Sequence, residues 1–237
     1  MLKLVTDVLL KPYFDEKLRA FKYQQYFSYA DRRLKKGKKG CTAQATRALG
    51  IMAELARNYP HRLQEVIDSI CRFIREEWKK DRAYDAGWDD VVSTALSIVS
   101  SFPKKDPNGH PYYVELTQIR LRGIPLKGIN FSHCVLWETE FDNVNMTRSS
   151  FAKADLGGCQ FMKGTSVEWS DFTGALMNVA DDHKTTTFDR TRLWGCTMLD
   201  ARIDKCKMII CDDFDPQPLR DKFENKLEVE EVDRDQG

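Results

Sequence analysis

The residues able to do chemistry are seven cysteines and four histidines, and their spacing argues against most of what such residues can do. A structural zinc site draws on closely paired ligands of the Cys-x2-Cys kind. Cys41, Cys71, Cys134, Cys159, Cys196, Cys206 and Cys211 contain no such pair. His61, His110, His133 and His183 are scattered, and only His183 has carboxylates beside it, Asp181 and Asp182; the expectation there is a solvated loop. The sequence has no phosphate-cradling glycine loop, no His-Glu metal motif and no nucleophile elbow. No catalytic residue, metal site or cofactor is therefore expected. The groups that remain suit recognition instead. Trp137, Trp169 and Trp194 are the residue type that most often anchors interfaces, and together with Glu168, Asp181, Asp182 and His183 they form the candidate interaction surface.

The elements that must position these groups are legible from one period. A bulky apolar residue returns every fifth position: Leu116, Leu121, Leu126, Phe131, Leu136, Phe141, Met146, Phe151, Leu156 and Phe161. Two positions before each stands a small or β-branched residue: Val114, Ile119, Ile124, Ile129, Cys134, Thr139, Val144, Ser149, Ala154 and Cys159. Five residues of α-helix turn about 500°, so this set would wander off any helical face. In a flat strand an odd period flips alternate members to opposite sides. The pattern works only as short extended pieces separated by bends, with both apolar residues of each piece on the inside. The product is a solenoid whose coil closes after four bends. Cys134, Cys159, Cys196, Cys206 and Cys211 all fall on the small inward position, where a cysteine serves as a compact apolar residue.

Ala154-Asp155-Leu156 and Ser170-Asp171-Phe172, with the looser Ile119-Arg120-Leu121 and Thr139-Glu140-Phe141, resemble the pentapeptide-repeat proteins. The resemblance implies a right-handed quadrilateral β-helix over roughly the C-terminal half. The frame slips twice, from Phe161 to Phe172 and from Met177 to Phe188, each step being eleven residues. Each slip reads as two repeats plus one extra residue that bulges outward, beside Glu168 and Trp169 in the first case and Asp181, Asp182 and His183 in the second. Beyond the second slip the frame continues through Leu193, Met198, Ile203 and Met208. About five coils of about 4.8 Å give a prism about 24 Å long.

Upstream, Leu10, Phe14, Leu18 and Phe21 recur at helical spacing after Pro12, which predicts an amphipathic helix packed on its neighbours through that face. Arg32-Arg33-Leu34-Lys35-Lys36-Gly37-Lys38-Lys39-Gly40 reads as a solvated basic linker. Apolar periodicity predicts three further helices, over Ala45 to Ala56, Leu63 to Ile74 and, capped by Asp89-Asp90, Val92 to Val99. Ala48-Leu49-Gly50-Ile51-Met52-Ala53 and Ile70-Cys71-Arg72-Phe73-Ile74-Arg75-Glu76 look like the helical segment that precedes the repeats in some bacterial pentapeptide-repeat proteins. The prolines and glycine from Pro103 to Pro111 mark a boundary. Pro216 and Pro218 are expected to end the solenoid, with Leu219, Phe223 and Leu227 in a short helix over its end.

The fold class expected is α+β in two parts, a small N-terminal α-helical domain followed by a right-handed quadrilateral β-helix. The segments are 1–40, amphipathic helix and basic linker; 41–103, helical domain; 104–113, linker; 114–215, β-helix; and 216–237, cap and acidic tail. Residues 1–103 carry 19 Lys and Arg against 13 Asp and Glu, whereas residues 116–215 carry 12 against 14. A prism with a net charge of −2 is a poor copy of duplex DNA, which carries one charge per about 1.7 Å. The leading expectation is accordingly a non-enzymatic scaffold that presents its prism to a protein partner, a second copy of the chain included. The second is a DNA mimic that protects or inhibits a DNA-binding enzyme such as a type II topoisomerase, an activity the resemblance implies. A nucleic-acid partner is not expected, because no aromatic stacking residue is interleaved with the basic residues from Arg32 to Lys39. The N-terminal aromatic and basic segment is the candidate for contact with a membrane surface. No stretch is long and apolar enough to span a bilayer, and Lys3 and Asp7 interrupt the start of the chain, so a soluble cytoplasmic protein is expected.

Overall fold

The computed structural model describes residues 11–35, 42–78, 86–177, 185–203, 206–210, 221 and 227–231. The chain divides into two compact units, 1–70 and 71–237. In the first, α1 (Lys11–Lys35) is followed by α2 (Thr42–Asn58), a 3-10 turn (Pro60–Arg62) and the first half of α3 (Leu63–Trp78). The second takes the rest of α3, then α4 (Ala86–Ser101) and the strands of the solenoid. The division thus falls inside α3 rather than at the Pro103–Pro111 linker.

Helix α1 differs from its expected form in two ways. It continues through Arg32, Arg33, Leu34 and Lys35, with Leu34 buried, so the basic linker begins as a helical turn. Its packed face is also a different one. Tyr23, Ala30 and Leu34 are buried, whereas Leu18 and Phe21 lie exposed. The reason is the ring cluster on the packed side: Tyr23 stacks on Phe27 at 5.5 Å, meets Tyr59 edge-on at 5.1 Å and donates its hydroxyl to Glu65 at 3.2 Å. Buried Asp31 accepts from Ser69 Oγ at 2.7 Å and pairs with Lys35.

The strands of the second unit form a parallel β-solenoid, a right-handed quadrilateral β-helix. Strands β2 (Arg120–Arg122), β4 (Glu140–Asp142), β5 (Gln160–Phe161), β7 (Thr186–Asp189), β9 (Cys206–Ile210) and β10 (Leu227–Glu231) form one six-stranded parallel side. The neighbouring side holds β1 (Val114–Glu115) paired with β3 (Cys134–Val135), and β6 (Leu176–Met177) paired with β8 (Arg202–Ile203). Isolated parallel bridges, such as Asn145↔Ser166 and Ser150↔Asp171, join the other two sides. Leu116, Leu136, Leu156, Met177 and Ile203 stack inside side one; Leu121, Phe141, Phe161, Phe188 and Met208 inside side two. Leu126, Met146, Val167 and Leu193 line side three, and Phe131, Phe151, Phe172 and Met198 line side four; all are buried. Among the described residues four coils are complete and a fifth is begun with Ile203 and Met208.

Aromatic residues occupy opposite sides and stack along the axis. Phe141 on Phe161 and Phe161 on Phe188 lie 4.8 and 4.5 Å apart, and Phe151 on Phe172 4.8 Å apart, all nearly parallel. Across the core the two columns meet edge to face, as at Phe151 and Phe161, which is the arrangement ring quadrupoles favour. The small positions add a second column. Thr139 Oγ1 donates to Leu116 O, Thr165 to Phe141 O, Ser170 to Met146 O, Thr186 to Leu156 O and Thr191 to Phe161 O, at 2.7 to 2.9 Å. Cys159 and Cys196 put their thiols in the same role, on Leu136 O and Val167 O at 2.9 Å. These two cysteines are hydrogen-bond donors between coils and not merely compact apolar fillers. Burial pushes all the described solenoid thiols up, Cys134 to about 11 and Cys196 and Cys206 to about 12, so they remain protonated. Cys211 lies outside the described residues.

The Asp or Asn of the repeat has a local task. Asn130, Asn145, Asp155 and Asp171 each accept, through Oδ1, the N–H two residues ahead, pinning the bend that follows. At the N-terminal end, Arg75 Nη1, Ser93 Oγ and Lys104 Nζ donate to the backbone oxygens of Glu115, Pro125 and Asn130 in the first coil. At the other end β10 pairs with β9 along five residues, Leu227 opposite Cys206. Leu227 is therefore in a strand and not in a capping helix; Leu219 and Phe223 lie outside the described residues.

Candidate functional site

The tryptophans are placed by the repeat. Each bend puts its second residue in the left-handed region, and Trp169 occupies that position with φ 59°. One coil later Gly195 stands at the same corner, and a Cβ there would fall inside the Trp169 indole. The missing side chain is what leaves room there for the Trp169 ring. Trp194 precedes that glycine, and the two indoles meet edge to face at 4.3 Å. They remain 51% and 57% exposed at the corner between sides three and four, whereas Leu199, also exposed, lies on the next bend, between sides four and one. Glu168 shares the corner of the two indoles and accepts from Ser166 Oγ at 3.0 Å.

Trp137 does not join them. It stands at the corner between sides one and two, half-buried against Gly157, where a Cβ would lie 2.8 Å from its Cδ1. A cleft beside this corner is lined by Glu138, Glu140, Gly158, Gln160, Thr185 and Thr187.

The frame slips take a different form from the one expected. The first is a single extra residue, but it sits at Lys163-Gly164. Inward positions run Phe161, Val167, Phe172, so the longer step precedes Val167 and leaves Glu168 and Trp169 in an ordinary bend. Gly164, with φ 85°, fits against Asn143, whose Oδ1 would be 2.7 Å from a Cβ. The second is larger. Phe188 pairs with Phe161 and Met177 with Ile203, so Met177 and Phe188 lie on consecutive sides, and eleven residues make a step that five make elsewhere. Six residues are inserted rather than one. Asp181, Asp182 and His183 belong to this insertion and lie outside the described residues; its described flanks, Met177 and Thr185, border the corner of Trp137 and not that of Trp169.

The three described histidines are not brought together. His61 stacks edge-on with Tyr59, His110 pairs with Asp106, and His133 sits on a separate bend. Burial first, then Lys153, Lys105 and Lys104, hold the His133 pKa below the ordinary imidazole range. Acidic groups on side two are matched by cations: Arg120 reaches Glu140 at 3.3 Å and Asp142 at 3.0 Å, and Arg122 reaches Asp142 at 3.3 Å.

Comparison with protein families gives the same repeat. Residues 126–161 match the family model for pentapeptide repeats, with eight copies. The solenoid is a pentapeptide-repeat β-helix. No curated protein sequence matches the chain. Among solved structures, a pentapeptide repeat protein from the thylakoid lumen of Arabidopsis thaliana is 18% identical, over 44% of this chain and 72% of that one, with a TM-score of 0.31. QnrB1, a plasmid-mediated fluoroquinolone resistance protein, is 16% identical over 41% of this chain, with a TM-score of 0.29, and the match spans about half (51%) of its length. A pentapeptide repeat protein from the cyanobacterium Cyanothece is 20% identical over 38% of this chain and 63% of that one, with a TM-score of 0.20. The exposed Trp169–Trp194 pair was only partly legible from sequence. The frame of five points Trp194 outward, but its meeting with Trp169 depends on Gly195, whose significance appears only once coils are stacked in register.

Proposed function

We propose that this protein is a non-enzymatic interaction module, with the β-helix as a rigid display surface and the Trp169–Trp194 pair as the main contact for a protein partner. The observation that carries this reading is the exposure of two indoles held in fixed mutual geometry at 4.3 Å on a regular scaffold. Rigid aromatic anchors lose little side-chain entropy on binding and supply large contact areas. The free thiols among the described residues suit the reducing cytoplasm, where we place it. The DNA-mimic alternative requires a continuous acidic stripe, and the pairing of Glu140 and Asp142 with Arg120 and Arg122 works against one.

The test is recovery of bound proteins from native lysate on the immobilised full chain and on a Trp169→Ala, Trp194→Ala variant. Substitution is preferable to removing residues 1–110, because that truncation would strip the first coil of Arg75, Ser93 and Lys104. A partner retained by the wild type and lost from a variant of unchanged melting temperature is the expected result. Identical recovery on both would refute the assignment of this corner, and stoichiometric protection of a gyrase-type enzyme would restore the mimic.

A further inference from the structure

Helix α1 is packed on one side only. Tyr23, Ala30 and Leu34 face the core of the first unit, whereas residues 16–22 are exposed throughout. At 100° per residue, Leu18, Phe21, Tyr26 and Tyr29 fall on one arc of about 140° opposite the packed side. They are 51%, 60%, 56% and 39% exposed. Lys22, Arg32 and Arg33 fall on the same arc and are exposed as well. From Leu18 to Arg33 the arc contains no acid; the acid within that span, Asp31, is buried on the other side with Ser69 and Lys35. Arg32 donates to Ser28 O, and Arg33 reaches Gln44 while lying over the Tyr29 ring.

We infer that this face of α1 docks on the surface of an anionic lipid bilayer, lying in the plane of the headgroups. Two physical arguments select that occupant. The cores of protein interfaces are depleted of charge, yet here cations are interleaved with the apolar groups. In a bilayer interface that mixture is favourable, since Leu and Phe enter the acyl boundary, Tyr sits at headgroup level and Lys and Arg extend to phosphate. A second copy docked through the same face would instead set three cations against three. The sequence continues the charge directly, with Lys35, Lys36, Lys38 and Lys39 after the arc, as in basic segments that follow membrane-surface helices.

The experiment is co-sedimentation of the full-length protein with vesicles of phosphatidylcholine alone or mixed with phosphatidylserine, at low and high salt. Each cation near an anionic surface strengthens binding about fivefold, so three should favour the phosphatidylserine vesicles by about 100-fold at low salt. Lys22→Glu with Arg33→Glu should remove that preference, and Phe21→Ser with Tyr26→Ser should reduce binding to both vesicle types, with helicity and melting temperature unchanged in each variant. Absence of binding to phosphatidylserine vesicles overturns the inference. So does equal binding to both vesicle types by the wild type, or a wild-type dimer that the Phe21→Ser, Tyr26→Ser variant dissolves.

Discussion

The helical unit and the solenoid use similar apolar residues under different constraints. In the solenoid each bulky residue stacks on its equivalent in the adjacent coil, so a period of five is enough to place Phe141 under Phe161 and Phe161 under Phe188. In the helical unit the buried side of α1 depends on rings far away in sequence, such as Tyr59. Leu18 and Phe21 lost that competition and face outward. Self-templating structure buries its apolar residues by rule, whereas helix packing can leave a second apolar face over for other uses.

The sharpest way to break this comparison is one substitution made in both regions. Phe151→Asp places a charge between Phe131 and Phe172 in a fully buried column and should cost about 4 kcal/mol or more. Phe21→Asp should change stability by less than about 0.5 kcal/mol. Thermal melting of the two variants decides it, and equal losses would refute the inward frame. A smaller effect tests the hydroxyl column. Thr139→Val removes the donor to Leu116 O and should cost about 1 kcal/mol, while Cys159→Thr, which keeps a donor at the equivalent place, should cost little; denaturant titration distinguishes them.

The weakest effect is a dependence on alkaline pH. The thiols of Cys134, Cys196 and Cys206 are raised by burial above the ordinary value of 9.0. The unfolded chain therefore loses these protons first as pH rises. Stability is full below the unfolded thiol pKa and declines above it, by less than about 1 kcal/mol per thiol up to pH 9.5. A Cys196→Thr variant should show a shallower decline in melting temperature between pH 8 and 9.5; an unchanged slope would show that the thiol is not the source.

The solenoid was legible from sequence because its period is both local and repeated. The inward residues and the small positions stand where the frame of five puts them. Legibility failed where chain length and register part company. Met177 and Phe188 fit a frame of five with one extra residue, and nothing local shows that the chain had turned one corner and not two. Only the pairing of Phe188 with Phe161 reveals the larger insertion. The strand at Leu227–Glu231 was hidden for a similar reason: Pro216 and Pro218 interrupt the repeat before it, and pairing with Cys206–Ile210 resumes across that interruption. In α1 the two candidate faces are both rich in apolar residues, and periodicity alone does not rank them.

The three side chains on the first coil have a consequence for how the molecule behaves in a crowd. A parallel solenoid has no internal reason to stop, and its exposed rung offers free backbone acceptors to the edge of any other chain. Arg75, Ser93 and Lys104 occupy three such acceptors, and two of them bring a bulky charged side chain to the rim. End-to-end polymerisation, the characteristic failure of stacked β-structure, is thereby discouraged at the end where synthesis begins, and the first rung is blunted before the remaining rungs have emerged.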